Sequence, residues 1–494
     1  MHHNRIIPGP RWDRLSLAIT VVLILWFCQN LVLGESVPFF RDLTTYFYPM
    51  RYSLFESLRS GNLPLWERHM AMGFPLLADF QSGALYPPHL FFLVLPLFLA
   101  IRLIFVFHFL VAGVGAYCLC RNWHYPPYLS VVGALLFAFG GTIVSLTNLL
   151  NHFQTAVWLP WVILCWEKVL RTVTWKHFLV FTLVLAIQFL AGSPELFALT
   201  MVLVLVDGSR LTLSDPGVSY PRLISIFLAA SVLLLMLVMI QLLPTIELFF
   251  ESRRQQPIPL QEVLQFSLKP ISLLNLIFLD KEIDFKSPNG LRLFFSREAP
   301  FFVSYYLGAI CVFGISLWVC FSSAREKFTV SGLILVSLIF ALGIYTPVYP
   351  FLLLHAHFLG AFRFPEKFFF PIYAILLYAT LEGLNRFLLE DGKTVRRPFI
   401  ALAIVGVVWV GLLLFLRFHV DVVARFVAAQ TGKPLLSPAH AEIVAAILSN
   451  LERQVVLSLG FLLLMVLVLT RAIRLSLFNV LVVSAVFVDL AWAH

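Results

Sequence analysis

The ionisable residues of this chain stand singly or in short runs among apolar neighbours, so each group can be weighed as a reacting group by itself. Within 34–89, Arg41-Asp42 and Ala78-Asp79-Phe80-Gln81 set single carboxylates among apolar and aromatic neighbours. A carboxylate at the edge of a membrane can take the proton from an attacking hydroxyl. Arg253-Arg254 and the run Arg363-Phe364-Pro365-Glu366-Lys367 hold cations, which can stabilise a departing phosphate alone or beside a divalent metal. Glu195 follows Gly192-Ser193-Pro194 inside an otherwise apolar stretch, where an ionisable group is costly and often functional. Each has a plainer reading. Asp42 would be a solvated carboxylate paired with Arg41, Asp79 the cap of the turn that follows it, and Glu195 the first-turn acid of a helix. Arg363 and Lys367 would snorkel to the interface, and Arg253-Arg254 would meet lipid headgroups. His69, His152, His355 and His357 have no ligand spacing, since His355 and His357 are two apart and fall on different sides of a helix. Cys28, Cys118, Cys120, Cys165, Cys311 and Cys320 all lie in or at the edge of apolar runs, as small apolar fillers do.

The elements that must position these groups follow from composition. Of 494 residues 60% are hydrophobic and 12% charged, against about 25% charged in a soluble domain. Thirteen apolar runs recur, at roughly 15–33, 90–110, 129–147, 153–170, 177–191, 194–208, 222–243, 302–321, 328–344, 367–387, 398–416, 454–470 and 475–492. Runs of about 20 apolar residues suffice to cross a membrane. The expected fold is an all-α polytopic bundle of about thirteen transmembrane helices, as one domain over 1–494. The net charge of +9 does not point to nucleic acid, because the basic residues sit singly and in pairs at the ends of apolar runs. With the N-terminus inside, the short inner connections carry Arg5, Arg121, Arg171, Lys176, Lys393 and Arg397 among others, while the outer turns near Asn148–His152 and Ser193–Glu195 carry none. The N-terminus is therefore expected in the cytoplasm and the C-terminus outside, in a bacterial plasma (inner) membrane. Four longer outer loops result, at about 34–89, 244–301, 345–366 and 418–453. The stretch 346–359 is short and broken by proline, and reads as a re-entrant or interfacial segment.

The first of these loops spends about 55 residues where a connector needs a handful, and long ordered loops tend to carry function. It holds Arg41-Asp42, Tyr46 and Pro49, then an amphipathic stretch at Tyr52–Arg59 fit to lie in the interface, then Gly61-Asn62-Leu63-Pro64-Leu65-Trp66 with an interfacial anchor. Gly73-Phe74-Pro75-Leu76-Leu77-Ala78-Asp79-Phe80-Gln81-Ser82-Gly83 follows, closed by Tyr86-Pro87-Pro88-His89. A large first outer loop with an Asp just beyond the first span resembles the GT-C class of membrane glycosyltransferases. The detailed pattern is similar to YfhO-type bacterial membrane proteins of that class. Ala191-Gly192-Ser193-Pro194-Glu195 resembles their Gly-His-Pro-type turn, Phe362-Arg363-Phe364-Pro365-Glu366-Lys367-Phe368 their Arg-x-Pro segment, and Val488-Asp489-Leu490 their last-span ending.

What the resemblance implies is a polyprenyl-phosphate sugar donor and a cell-envelope glycan, polymer or lipid acceptor on the extracytoplasmic face, with membrane lipids around the site. Asp42 matches the first-loop base and Asp79 is a second catalytic or metal-binding carboxylate, with Mg or Mn as the metal if one is used. Arg363, Lys367, Arg253 and Arg254 would meet the donor phosphate, supported by Glu195, Glu366, Arg41, Gln81 and Tyr86. A soluble domain commonly follows the last span in that family; here the sequence stops at His494, so that domain is absent, or is supplied by a separate extracytoplasmic domain or subunit, or lies beyond the given sequence. Two other readings stand beside the transferase: a transporter or flippase for a lipid-linked glycan, and a non-catalytic envelope-assembly protein. A transporter should place charges inside its spans. Only Arg102 and Glu382 are expected there, which favours chemistry at the interface.

Overall fold

In hydrocarbon each backbone N–H and C=O must find its partner within the chain, which leaves helices as the form an apolar run of this length can take. The computed structural model describes residues 10–35, 37–39, 41–252, 256, 258–276, 301–355, 360, 362–389, 396–431, 438–469 and 474–493. Among them there is no strand beyond one isolated bridge, Glu67 to Phe74, and the rest is helix, turn and loop. Among the described residues eight helices are long and apolar enough to cross a membrane: Leu97–Asn122, Pro127–Leu146, Pro194–Ser214, Tyr220–Glu251, Ala324–Tyr345, Pro365–Leu389, Ile447–Leu467 and Ser476–Ala493. The protein is a helical membrane protein.

Of the other apolar runs, 398–416 lies in the continuous helix Arg396–Phe418, and the rest are shorter or divided, for local reasons. The run 153–170 is split into Leu150–Ala156 and Leu159–Arg171. Pro160 has no N–H to continue the ladder and sits instead in the first turn of the second piece. The run 302–321 is helical only over Ile310–Phe321; ahead of it Tyr306 O accepts Gly141 N at 2.7 Å and Gly308 takes a φ of 94°. The first run forms Pro10–Phe27 and then Gln29–Leu33. Val348–His355 is a helix of 8 residues, about 12 Å of rise and short of a membrane. Helix starts follow their capping residues. Ser193, Ser219 and Ser323 each accept a backbone N–H in the first turn, and Ser323 and Glu326 form a reciprocal capping box.

The chain divides into two compact units. The first, Pro10–His124 with Leu146–Ile258, holds the whole of the loop 34–89. In it Leu97–Asn122 packs on Pro10–Phe27 and on Leu159–Arg171, with Gly115 lying under the indole of Trp161. The second takes Tyr125–Ser145 and the chain from Pro259 onward. Its closest helix pair is Ile310–Phe321 against Phe369–Leu389, where a Cβ on Gly383 would come within 2.0 Å of Gly314 O. Small residues at such a crossing let two backbones approach, which in lipid is the main source of helix association.

Candidate functional site

Asp42 lies at the start of a continuous helical segment in the first unit, Leu43–Phe47 in a wide π turn and then Tyr48–Arg59. The turn is set by Arg41, whose φ is 47° and whose carbonyl accepts Thr44 N at 3.2 Å and Thr44 Oγ1 at 3.0 Å. Leu43 and Phe47 are buried beneath it. The carboxylate of Asp42 is half-exposed and makes no cap hydrogen bond, nor any other among the described residues.

Asp79 is used differently. It caps the short 3-10 turn Phe80–Ser82, its Oδ1 accepting Gln81 N at 3.0 Å while its Oδ2 accepts the Tyr46 hydroxyl at 2.7 Å. Gly83 closes the turn at a φ of 55°. A second link runs beside the first. Arg51 is 0% exposed and donates through Nη1 to Ser82 O and through Nη2 to Gln81 O at 3.3 Å. Burial lowers the Arg51 guanidinium to about 10, with Tyr46 and Asp79 pulling the other way. The helix that begins at Asp42 is thus tied to the Asp79 turn at two points.

Behind that turn lies a layer of buried polar side chains. His89 Nδ1 lies 2.7 Å from Gly83 O and its Nε2 3.0 Å from Gln154 Nε2. Those partners assign a neutral ring with its proton on Nδ1. Burial, and then the nearby charge of Arg51, push the His89 pKa well below its ordinary value. The hydroxyl of Tyr86 accepts Trp158 Nε1 at 2.8 Å and lies 2.7 Å from His108 Nε2; burial pushes that phenol up. The turn at Gly192 abuts the same segment: its φ is 101°, and a Cβ there would come within 2.5 Å of Phe80 O. Asn151 Nδ2 donates to Gly192 O at 2.9 Å and Ser193 N to Thr155 Oγ1 at 3.2 Å. Glu195, half-buried, lies in the first turn of the following helix with Oε2 3.5 Å from Ser193 Oγ.

The structure therefore gathers Arg41, Asp42, Asp79, Gln81, Tyr86 and Glu195 into one unit. Arg363, Glu366 and Lys367 belong to the other. There Arg363 pairs with Glu262 at 2.7 Å. Phe364 takes a φ of 68°, and the buried Lys367 places Nζ 5.1 Å from its ring and 5.6 Å from that of Phe301. Glu366, also buried, accepts Phe302 N at 3.2 Å. Both cations have partners within the fold. Arg253, Arg254 and His357 lie outside the described residues. His69 meets Glu56 at 3.0 Å and His355 bonds back to Phe351 O at 2.8 Å. Among the described residues no three His, Cys, Asp or Glu side chains are placed to hold a metal ion. Asp79 in particular has a donor on each oxygen.

Arg51, His108, Gln154 and Trp158 were not among the expected site residues. Arg51 had a signal: it shares helical spacing with Phe47 and Leu54, both buried, so it falls on the apolar side of its helix. The expectation of few charges within the spans is corrected. Asp207, Arg210, Arg386, Arg453 and Asp489 all lie inside helices long and apolar enough to span.

No family model, no curated protein and no solved structure matches the chain. The similarity to YfhO-type proteins rests on the residues quoted above.

Proposed function

We propose that the chain is a membrane glycosyltransferase that moves a sugar from a polyprenyl-phosphate donor to an envelope glycan, polymer or lipid acceptor on the extracytoplasmic face, with Asp42 as general base. The observation that carries this reading is the contrast between the two first-loop carboxylates. Asp79 is committed to a cap and to Tyr46, while Asp42 is half-exposed with no hydrogen-bond partner among the described residues. In the step, an acceptor hydroxyl gives its proton to the Asp42 carboxylate as its oxygen attacks the anomeric carbon. The bond from that carbon to the phosphate oxygen breaks, and the phosphate leaves with the electron pair. Positioned proton transfer contributes about 10²–10⁴ in rate.

A cation near the leaving phosphate is required by charge. In the unit that carries Asp42, Arg102 has buried Nε and Nη1 atoms with no hydrogen-bond partner among the described residues. It lies in the second turn of Leu97–Asn122 and is our candidate for that role in place of Arg363 and Lys367. Should Mg or Mn take part, Asp42 is the residue that would offer it an oxygen.

The transporter reading gains support from the charges inside the spans. These are mostly mutually neutralised, however. Arg210 bridges Asp207 and Glu167, each at 2.7 Å, Arg386 meets Glu382 at 2.7 Å, and Arg453 meets Asp489 at 3.0 Å. Charges held in such pairs are not open to a passing substrate. The deciding assay is made on the purified protein in vesicles with a radiolabelled polyprenyl-phosphate sugar. Release of polyprenyl phosphate with label moved to an acceptor supports the transferase. Donor that crosses the bilayer unchanged would sink it in favour of the transporter.

A further inference from the structure

The loop between Arg59 and Leu76 ends in a small hairpin whose tip is apolar and turned outward. Glu67 N donates to Phe74 O at 2.8 Å and Phe74 N to Glu67 O at 3.2 Å, with Gly73 N closing on Met70 O at 2.8 Å. At the tip Ala71 and Met72 both take positive φ, 50° and 62°, which side-chain-bearing residues seldom adopt. That backbone presents Met72 at 100% exposure. Leu63 at 73%, with Leu65 and Trp66 at 53% each, are exposed on the approach to it. Four large apolar side chains held outward in one loop mark an interaction surface.

The level of this loop relative to the spans is set by Arg59. Its Nη2 donates to Leu95 O at 3.3 Å, two residues before the spanning helix Leu97–Asn122. The loop leaves from there, so it starts at the end of a span. The exposed faces of Val94 and Phe98, which face lipid if that helix crosses the membrane, adjoin the same end. The charge of the loop is also one-sided. Arg59 and Arg68 are exposed, whereas Glu56 is paired with His69 at 3.0 Å and Glu67 is buried, its Oε1 accepting His69 N at 2.5 Å.

We infer that the Glu67–Phe74 hairpin is a membrane-dipping element: Met72, Leu63, Leu65 and Trp66 seat in the boundary between headgroups and acyl chains, and Arg59 and Arg68 meet the phosphates of anionic lipids. An amphipathic loop of this make-up gains from both terms, apolar burial and attraction to an anionic surface. The inference stands apart from the transferase reading, since it concerns where the loop rests and not what it does to a sugar.

The test is a depth measurement on the full chain in vesicles. Cys320 and Cys118, the two cysteines that are not buried, are replaced by Ser, and a spin label is attached at Met72→Cys. Its relaxation by oxygen and by a water-soluble nickel chelate is compared in vesicles with and without anionic phospholipid. The expected result is a label reached more readily by oxygen than by nickel, and deeper in anionic vesicles. Arg59→Glu with Arg68→Glu should abolish that dependence on lipid charge. A label as open to nickel as a residue in bulk water, in both vesicle types, would overturn the proposal. A buried label whose depth ignores both lipid charge and the Arg substitutions would overturn its electrostatic half.

Discussion

The hydroxyl of Tyr46 donates to Asp79 Oδ2 at 2.7 Å, across 33 residues of chain. The bond joins the first turn after Asp42 to the turn that ends the loop. Together with Arg51 on Ser82 O and Gln81 O it makes the position of Asp42 depend on the Asp79 segment. Asp79 is in this account a positioning residue, and the two carboxylates should respond in opposite ways to substitution.

Asp79→Asn should destabilise the protein by about 1–3 kcal/mol, because it weakens a cap and the bond from a half-buried phenol. Asp42→Asn should stay within about 0.5 kcal/mol of the parent. Thermal unfolding in detergent checks both. A double-mutant cycle of Tyr46→Phe with Asp79→Asn should show coupling of about 0.5 kcal/mol or more. Equal stability of Asp42→Asn and Asp79→Asn would refute the division of roles.

Gly192→Ala should be among the most damaging single changes in the first unit. It places a Cβ 2.5 Å from Phe80 O and demands a φ of 101° of a residue with a side chain. The cost should exceed about 1 kcal/mol from backbone strain alone, read as lost thermal stability or lost expression. Gly217→Ala, with only Asp215 Oδ1 near at 3.2 Å and no positive φ, should be close to neutral and serves as the control.

His89 gives the protein a pH dependence of known sign. Its ring is neutral in the fold and its pKa is pushed below the ordinary value, first by burial and then by Arg51. As pH falls the unfolded chain therefore binds the proton before the folded chain does. The stabilisation is whole above about pH 6.5, the unfolded value, and is lost progressively below it. Arg51 stays charged through this range, so it adds to the effect without titrating. Melting temperatures taken between pH 5 and 8 should fall on the acid side, and His89→Asn should flatten that fall. An unchanged slope in His89→Asn would assign it to another group.

Arg102 and Arg363 should separate in kinetics. Arg102→Gln should weaken donor binding or turnover with little loss of stability. Arg363→Gln breaks an ion pair with Glu262 that is more than a quarter exposed on both sides. It should cost at most about 1 kcal/mol and leave transfer near the parent rate. Loss of transfer in Arg363→Gln at full stability would return the phosphate role to the second unit.

Much of the fold could be read from composition and punctuation. Runs such as 194–208 and 222–243 begin where Ser-Pro-Glu and Ser-Tyr-Pro place a cap and a proline, and the helices start there. The turn at Gly192-Ser193-Pro194 was legible for the same reason. The run 302–321 was not, because the hydropathy of Phe301–Leu307 suits a helix as well as the non-helical segment that Tyr306 O and Gly141 N hold in place. That choice is made by a residue 165 positions away and leaves no local mark. Within the site, the Asp79 cap was legible, since Asp followed by a tight turn with Gly at its end is a local pattern. The partners were not. That Arg51 would reach Ser82 O, or that Gln154 would meet His89, depends on packing between segments far apart in sequence. Two of the charge pairs within the spans escaped for a related reason, since Arg453 meets Asp489, and Arg210 meets Glu167, on another helix.

The most direct measurement is the rate of sugar transfer by Asp42→Asn in vesicles, from a radiolabelled polyprenyl-phosphate sugar, with the melting temperature taken on the same preparation. The expected result is a loss of about 10²–10⁴ in kcat/KM with the melting temperature unchanged. Transfer at the parent rate by a stably folded Asp42→Asn protein would contradict it.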